Sequence, residues 1–492
     1  MKSDNREADS GARLFLDGGL VNSDSDATFP VINPSTGRDL FRVAVGSDRD
    51  VNRAVISAQR AFADGRWSEA PPSFRKSTLH RLADAIAAQA HALDVLDAAE
   101  MGKPVCERLF NAVSAANLMR FYAEAVDKVS GDTFASDKNS LVVQRRVPRG
   151  VVAAIVPWNF PTFNAVLKVA PALAAGNCVV LKPSELASRS AVRLAQLADQ
   201  SGLPQGVLNV VPGLGETVGR ALGLHPLVDA VTFTGSTEVG RQMLQYAGQS
   251  NMKLVIAECG GKSPHIVFDD GVDLDVASDA IAHRLVTNQG QICSVGSRLL
   301  VQRSIEMQML ERIAARVAKV VIGDALDPQT TYGPVASAAQ CGRIMHYIES
   351  GTREGAELVT GGRRLRGDSG GYFVEPTVFR KVGPAAQIAQ QEIFGPVLST
   401  IAFDDEVEAL RIANGTIYGL TATVWTTNLS TGLRMAKGIR SSVRINATAP
   451  QGEGAGHAAA YEPWGQSGIG TEGGLAGMES YLRRQLVTIN HA

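Results

Sequence analysis

Five short apolar runs, separated by segments of helix length, follow one another between residues 151 and 258. The runs are VVAAIV (151–156), NCVVLK (177–182), GVLNVVPG (206–213), AVTFTG (230–235) and KLVIAE (253–258). Strand-length runs that alternate with helical segments predict a parallel sheet with crossover helices. Because the runs are apolar almost throughout, we expect strands that are covered by helices on both faces. The sequence therefore predicts an α/β chain with a doubly wound parallel sheet of the nucleotide-binding class.

The rest of the chain predicts further units. Its 492 residues exceed the roughly 250–300 residues of one core, so two or three domains are expected. Helical periodicity over residues 76–127 precedes the apolar runs. Beyond Gly260 the pattern predicts a second α/β region, with helices near 274–289, 304–320, 336–352 and 405–413 and strands at RLLVQ, TVFRKV, VLSTIAF and TATVWT. The segment 446–474 holds eight glycines and predicts a functional loop.

Composition excludes several classes of protein. With 48 Lys and Arg against 49 Asp and Glu, the chain has no net charge that would attract nucleic acid or an anionic membrane, so small molecules are the expected partners. The apolar runs are far shorter than the roughly 18 residues that span a bilayer. Residues 1–12 are polar and acidic, unlike a signal peptide, and predict a loose cytoplasmic tail.

The five cysteines are scattered and form no CxxC pair, so neither a disulfide framework nor a metal site is predicted. Reduced thiols in a reducing compartment are the simplest interpretation. One of them, Cys293, lies in the polar turn NQGQICS (288–294). A buried packing cysteine is the ordinary interpretation, but nearby amides and Gly290 favour a thiolate nucleophile.

Two further motifs offer groups for catalysis. In PWNFP (157–161) two prolines make a stiff platform, from which the Asn159 amide can be aimed at a developing oxyanion. In AECGGKSP (257–264) Glu258 ends an apolar strand, where a parallel sheet places its ligands, and is a candidate general base. Taken alone, the first motif is also typical of a strand-ending turn and the second of a surface charge.

Three motifs suggest cofactor binding. FTGSTEVGR (233–241) opens a helix whose free amides, with Ser236, suit a phosphate. LKPSE (181–185) places Glu185 after a strand, where a carboxylate can accept ribose hydroxyls. EIFGPV (392–397) joins an acid and an aromatic before a Gly-Pro turn and has no function that chemistry alone can decide.

Together and in this order, PWNFP, LKPSE, FTGSTEVGR, AECGGKSP, NQGQICS and EIFGPV resemble the aldehyde dehydrogenase superfamily. The similarity also includes FPVINPSTG near the start and YGLTATVWT near residue 418, so it runs from about Leu14 to the C-terminal region. It implies a hydrolytic, NAD-dependent enzyme that does not use CoA and that oxidises an aldehyde to a carboxylic acid through a thiohemiacetal and a thioester.

The resemblance also implies a role for each matching residue. Cys293 would be the nucleophile, Asn159 and the Cys293 backbone N–H would form the oxyanion hole, and Glu258 would activate water. The NAD-binding residues would be Trp158, Lys182, Ser184, Glu185, Gly215, Phe233, Gly235, Ser236, Glu392 and Phe394. Within this set Lys182 and Glu185 would hold the adenosine ribose, Ser236 the pyrophosphate, and Glu392 with Phe394 the nicotinamide end.

The resemblance further divides the chain into domains. Residues 1–130 and 149–260 would form the NAD-binding domain and 261–475 the catalytic domain. Residues 131–148 and 476–492 would form a small β element for oligomerisation, so a homodimer or homotetramer is expected.

This sequence departs from the family pattern near its C-terminal end. PWGQSGIGTEGG is about three residues shorter than the usual form and has Thr471 in place of Arg, whereas residues 446–463 are longer than expected. Cys259 replaces the usual Leu, and a small apolar filler is the favoured interpretation over an oxidation-sensitive neighbour.

The substrate is expected to be a neutral aliphatic or aromatic aldehyde. Phe163, Asn164 and Leu167 share one helical face behind the oxyanion Asn and, with Thr287, would line the substrate tunnel. Leu167 offers no partner for a charged substrate, although Glu453, His457 or Glu462 would supply charge if the long loop folded inward. One alternative is a CoA-acylating semialdehyde dehydrogenase, an enzyme that usually lacks the Glu found here at position 258. The other is a non-catalytic structural protein on the same fold.

Overall fold

The computed structural model describes residues 13–447 and 456–491. The predicted tail (1–12) and part of the predicted loop, including Glu453, lie outside the described residues. The first eleven strands are β1 Leu14–Leu16, β2 Gly19–Val21, β3 Thr28–Asn33, β4 Arg38–Ala44, β5 Asp132–Phe134, β6 Ser140–Pro148, β7 Val151–Ile155, β8 Cys178–Lys182, β9 Leu208–Val210, β10 Ala230–Thr234 and β11 Leu254–Glu258. The remaining strands are β12 Pro264–Val267, β13 Arg298–Gln302, β14 Glu357–Thr360, β15 Arg364–Leu365, β16 Phe373–Val374, β17 Thr377–Arg380, β18 Val397–Phe403, β19 Tyr418–Gly419, β20 Thr421–Trp425, β21 Ser442–Ile445, β22 Trp464–Gly465, β23 Gly468–Ile469 and β24 Leu482–Asn490.

The helices confirm the predicted alternation of strands and helices. Those before Gly260 are α1 Asp48–Ala63, α2 Pro72–Ala88, α3 Ala90–Met101, α4 Ala112–Ala125, α5 Pro161–Ala174, α6 Arg189–Gln200, α7 Arg220–Leu224 and α8 Thr237–Gln249. Those after it are α9 Leu274–Val286, α10 Glu306–Val317, α11 Ala338–Arg353, α12 Gln387–Gln390, α13 Glu406–Ala413, α14 Leu429–Gly438 and α15 Gly474–Glu479. No helix of the described chain is long and apolar enough to cross a membrane.

The five predicted apolar runs form the centre of an eight-stranded sheet with the order β2-β1-β9-β8-β7-β10-β11-β23. The strands β9, β8, β7, β10 and β11 are parallel to one another. The chain order reverses at β7, which has β8 on one side and β10 on the other. Doubly wound sheets bind ligands outside the carboxyl ends of the strands at such a reversal, and residues 157–161 and 235–236 follow β7 and β10 there.

Local sequence explains where the helices at this edge begin. Pro161 takes the first turn of α5, where its missing N–H and fixed φ suit a helix start. The side chain of Ser236 caps α8 by accepting the Val239 N–H at 3.3 Å. Both helices therefore start directly after the loops that follow β7 and β10.

The second region contains a seven-stranded sheet with the order β14-β17-β18-β13-β12-β20-β21. Its strands β12, β13 and β18 are parallel neighbours. The buried Arg298 on β13 donates to the carbonyls of Lys262, Ile412 and Ala413 at 2.7–2.9 Å. Because these hydrogen bonds satisfy the carbonyls at the end of α13, they tie that helix to the sheet.

A third, three-stranded sheet has the order β24-β6-β5. β24 pairs antiparallel with β6 over nine residue pairs, from Leu482 with Pro148 to Asn490 with Ser140. The two predicted pieces of the small β element thus meet although they are far apart in sequence. The predicted domain boundaries, and the use of this sheet in oligomers, stay predictions.

Candidate active site

A cavity of about 1410 Å³ lies between the two large sheets. It brings together Cys293, Glu258 and Asn159, the three residues predicted for catalysis. Asn159 follows β7 and Glu258 ends β11, so both come from the first sheet, whereas Cys293 lies on the loop between α9 and β13. Nine of the other predicted site residues also line the cavity: Trp158, Gly235, Ser236, Glu392, Phe394, Phe163, Asn164, Leu167 and Thr287.

The loop that carries Cys293 is held in an unusual backbone conformation. Asn288, Gln289 and Gly290 have φ values of +46°, +53° and +68°, in the left-handed region that is costly for residues other than Gly. A Cβ on Gly290 would collide with the Gly395 carbonyl. The side chain of Asn288 donates to the Asn159 carbonyl at 2.9 Å. The strained turn is therefore fastened to the loop that follows β7.

The Asn159 amide is oriented on both sides. Its Nδ2 donates to the Gln291 carbonyl at 3.0 Å, and its Oδ1 accepts from Asn164 Nδ2 at 3.1 Å. An amide nitrogen carries two hydrogens, so one N–H is left to face the cavity. Asn164, which was predicted only as part of the tunnel wall, thus also fixes the orientation of Asn159.

Burial changes the protonation of Glu258. The residue is 6% exposed, and its Oε1 makes no hydrogen bond with any described residue. Desolvation, followed by the charge of Glu472, raises the pKa of Glu258 well above 4.5, while Lys168 opposes the shift. Gly260 and Gly261 keep the next turn narrow, because a Cβ on either would meet the Glu392 carboxylate or the Cys293 carbonyl.

Three residues near Glu258 were missed by the sequence analysis. Lys168, fully buried on α5, forms an ion pair with the buried Glu472. Tyr461 donates its hydroxyl to Glu472 Oε2 at 2.8 Å. A charged residue inside the apolar segment of α5 was the available signal for Lys168, because fully buried lysines are almost always paired. The partner, 304 residues later, had no such signal.

Burial also controls the thiol. It raises the pKa of Cys293 to about 12, and the carboxylates of Glu392 and Glu258 add to the shift. Arg284 and the backbone N–H of Ser294 oppose it. Without further help the thiol is therefore neutral near pH 7, and reactivity depends on the groups that favour the thiolate.

The residues predicted for the nicotinamide end lie on one side of the cavity. The rings of Trp158 and Phe394 meet edge to face at 5.4 Å. Glu392 accepts the Gly261 N–H at 2.9 Å, and burial raises its pKa to about 7. The Thr234 hydroxyl is buried and has no hydrogen-bond partner among the described residues, although its residue lines the cavity. This unmet polar group fits a polar ligand at the switch point of the sheet.

The residues predicted for the adenosine end lie beyond the cavity, at the ends of neighbouring strands. Lys182 ends β8, and its Nζ is 3.5 Å from Glu185 Oε2. Ser184 lies between them in sequence, and Gly215 follows β9 with open space around its Cα. Because Lys182 is buried and Glu185 is partly exposed, the carboxylate presents the outer surface of this pair.

Phe233 is placed differently from the other predicted cofactor residues. Its ring is 3% exposed and fills the space beneath Gly235 and Gly240. It supports the turn before α8, and its direct contact with cofactor stays a prediction. Cys259 is also buried, and its sulfur occupies the space next to Gly240, which agrees with a small filler.

The opposite side of the cavity is apolar and aromatic. Phe163 stacks on Phe110 at 4.5 Å, and Phe110 meets Phe160 edge to face at 5.1 Å. Leu167 lies on the same wall. Of the charged residues suspected in the long loop, Glu462 is exposed and accepts a hydrogen bond from Thr471, whereas His457 lines the cavity with a pKa that burial lowers.

Comparison with known proteins gives the same family at every level. A sequence model of the aldehyde dehydrogenase family matches residues 20–487. The NADP/NAD-dependent aldehyde dehydrogenase PuuC of Escherichia coli K12 is 42% identical over 436 residues, 88% of this chain and 87% of PuuC. The crystal structure of the aldehyde dehydrogenase KauB from Pseudomonas aeruginosa is 45% identical with a TM-score of 0.94, covering 97% of this chain and 96% of KauB.

A crystal structure of indole-3-acetaldehyde dehydrogenase in complex with NAD+ is similar to the same degree. It is 44% identical with a TM-score of 0.94 and covers 97% of this chain and 96% of that one. The family that the six motifs indicated and the α/β fold class that the apolar runs predicted are thereby both confirmed. The chain belongs to the aldehyde dehydrogenase family.

Proposed function

We propose that this enzyme uses Cys293 as the nucleophile in the NAD-dependent oxidation of a neutral aldehyde to a carboxylic acid. The observation that carries the proposal is that Cys293, Asn159 and Glu258 face one cavity. They supply a nucleophile, an oxyanion donor and a base, which are the three groups that acyl formation and hydrolysis need. Intact residues at all three positions argue against a non-catalytic structural protein.

The first steps use the thiol and the free N–H of Asn159. The Cys293 thiolate adds to the aldehyde carbon, and the carbonyl oxygen becomes an alkoxide of a thiohemiacetal. The Asn159 amide, fixed by Gln291 and Asn164, and the Cys293 backbone N–H would stabilise that charge without reorganising. NAD, the cofactor of this enzyme, supplies the acceptor for the hydride that leaves the aldehyde carbon.

The last step frees the acid from the Cys293 thioester. Water attacks the acyl carbon, Glu258 takes its proton, and the sulfur leaves as thiolate. A base is most effective when its pKa lies near the working pH, and the buried position of Glu258 moves its pKa in that direction. Because this base is present, water rather than CoA is the proposed acyl acceptor.

The cofactor would lie along the carboxyl edge of the first sheet. Glu185, beside Lys182, would accept hydrogen bonds from the adenosine ribose hydroxyls. Ser236 would bind the pyrophosphate at the start of α8. The other contacts would come from Trp158, Ser184, Gly215, Phe233, Gly235, Glu392 and Phe394. The carboxylate of Glu185 would repel the 2′-phosphate of NADP, so NAD is the preferred form.

The substrate would enter along the wall of Phe163 and Leu167. Phe110 stacks on Phe163 there, and the pKa of His457 is lowered by burial, so this ring is neutral near pH 7. Arg108 and Glu107 also line the cavity, but Arg108 is exposed and Glu107 accepts the Leu109 N–H at 2.9 Å. A neutral aliphatic or aromatic aldehyde suits these surroundings, because an unpaired buried charge is costly.

Two further proposals concern the setting of the enzyme. The three-stranded sheet leaves Leu486 and Ile489 of β24 exposed, at 62% and 48%, and a homodimer or homotetramer would bury them.

All five cysteines are free, which supports a reducing, cytoplasmic location.

Replacing Cys293 by Ala should abolish aldehyde oxidation, because the sulfur on which the acyl intermediate is proposed to form is then missing. Binding of NAD, measured by fluorescence titration, should stay within about twofold of wild type because the cofactor residues are untouched. Cys259→Ala is the matched control and should remain active. Full turnover by Cys293→Ala would refute the proposed nucleophile.

Replacing Glu258 by Gln should leave a rapid first turnover of NADH and slow the steady state by about 100-fold, since general-base catalysis typically contributes this much. In the wild type, deacylation should rise with pH through a pKa well above 4.5, because the deprotonated carboxylate is the active form. The Glu258→Gln variant should not show this rise of the deacylation rate with pH. Stopped-flow absorbance over a pH series measures both effects, and an unchanged steady state would exclude Glu258 as the base.

Replacing Glu185 by Gln should reduce the preference for NAD over NADP by about tenfold, because the like-charge repulsion of the 2′-phosphate disappears. The ratio of kcat/KM for the two cofactors measures it. Asp199→Asn, at the exposed end of α6, is the control for loss of one surface charge. Equal efficiency of the wild type with both cofactors would contradict the role of Glu185.

Hexanal and benzaldehyde should exceed succinic semialdehyde in kcat/KM by at least about tenfold, the factor that 1.4 kcal/mol provides. Replacing Leu167 by Arg should narrow the difference because the guanidinium can pair with the substrate carboxylate. Leu167→Met is the neutral control. A wild-type preference for succinic semialdehyde would show that Leu167 does not set the substrate charge.

A further inference from the structure

Arg284 lies behind the loop that carries the nucleophile. It belongs to the last turn of α9 and is 8% exposed. Its Nη2 donates to the Ser294 carbonyl at 2.8 Å and to the Ser294 hydroxyl at 3.2 Å. Ser294 directly follows Cys293, so the guanidinium holds the loop one residue after the nucleophile.

The charge of Arg284 is not cancelled by a close partner. It forms no ion pair within 4.0 Å with any residue that the structure describes. The buried Lys168, in contrast, is neutralised by its ion pair with Glu472. The ionisable groups that act on its charge are Cys293, then Glu107, and the guanidinium of Arg444 lies in the same surroundings. Burial, with the charges of the two arginines, lowers the pKa of His265 to about 3, so this ring is neutral. An arginine remains protonated even when buried, so a net positive charge lies next to the loop.

Most of the charged groups near the Cys293 thiol disfavour the thiolate. Glu392, from the loop before β18, and Glu258, at the end of β11, both disfavour the thiolate. Tyr461 also lines the cavity and donates its hydroxyl to Glu472. Lys168 is committed to Glu472. Arg284 is therefore the cation whose charge offsets the two carboxylates at the sulfur.

We propose that Arg284 is a positioning residue for Cys293, which clamps the nucleophile loop through Ser294 and supplies the positive charge that favours the thiolate. The inference rests on the proposed role of Cys293 as the nucleophile. It assigns to the end of α9 a function that the motif NQGQICS does not include. A purely structural clamp is the competing explanation.

The two explanations differ in what each substitution removes. Arg284→Lys keeps the charge, Arg284→Gln keeps a donor for Ser294 without the charge, and Arg284→Met removes both. If the charge matters, Gln and Met should behave alike and Lys should resemble wild type. If only the hydrogen bonds matter, Lys and Gln should behave alike.

The readout is the rate at which iodoacetamide alkylates Cys293 in the purified full-length enzyme without aldehyde, followed by mass spectrometry of the Cys293 peptide over a pH series. Loss of a nearby cation raises the pKa of a thiol by about 1. This lowers the thiolate fraction about tenfold, and the higher nucleophilicity of the more basic thiolate offsets about threefold of it. Alkylation of Arg284→Gln and Arg284→Met should therefore be slower by about threefold or more, and that of Arg284→Lys within about twofold of wild type.

Two controls separate this effect from damage to the fold. Cys178, buried on β8, is alkylated only when the fold opens, so its rate in the same sample reports global opening and should be equal in every variant. Arg303→Gln removes an exposed arginine that pairs with Asp404 and should leave the Cys293 rate unchanged. Equal Cys293 rates in Arg284→Lys and Arg284→Gln, with the Cys178 rate unaltered, would overturn the proposal.

The outcome is independent of the test of the nucleophile. If Cys293→Ala retained full turnover, the proposed function would fail even though Cys293 alkylation still responded to Arg284. If Cys293→Ala were inactive but alkylation were indifferent to the charge at position 284, the inference about Arg284 alone would fail.

Discussion

Two hydrogen bonds, each donated by a side-chain amide, join the two halves of the site. Asn288 donates to the Asn159 carbonyl and Asn159 donates to the Gln291 carbonyl, so the strand-end loop of β7 and the nucleophile loop hold each other. The left-handed backbone of residues 288–290 would be costly on its own. These bonds to another sheet, together with packing against Gly395, make that conformation the stable one. The relative position of nucleophile and oxyanion donor therefore follows from one contact between the two large sheets.

Buried charge is the second organising feature. Lys168, Glu472 and Glu258 are all almost fully enclosed, and a low dielectric makes each charge act strongly on the others. The Lys168–Glu472 pair is satisfied, whereas Glu258 retains an oxygen without a partner among the described residues. An incompletely satisfied carboxylate beside a satisfied ion pair is unfavourable for stability. Its benefit is a base whose pKa is shifted toward the range where it can exchange protons.

The sequence was sufficient for much of this arrangement. Apolar runs predicted all five parallel strands of the first sheet, and motifs beside strand ends predicted Asn159 and Glu258 because parallel strands bring their carboxyl ends to one edge. Cys293 was predicted from the polar turn NQGQICS. The partners of these residues were not predictable in the same way. Glu472, Tyr461 and Arg284 depend on contacts between distant segments, and periodicity contains no information about such pairing. Asn164 was placed correctly on its helical face, but its bond to Asn159 depends on a side-chain orientation that spacing does not determine. Phe233 shows the reverse case, since a residue within a cofactor motif packs into the core.

The strand that carries Glu258 acquires its last neighbour very late in the chain. β23 pairs with β11 through Ala257 with Ile469 and Glu258 with Gly468, and the Cys259 N–H donates to the Ser467 carbonyl at 2.7 Å. A ribosome must therefore add more than two hundred residues after β11 before this edge can close. Until then the nascent chain presents an open, apolar edge strand, the kind of surface that pairs with other chains. The first sheet is therefore complete only after residues 467–469 have been synthesised and β23 covers this edge of β11.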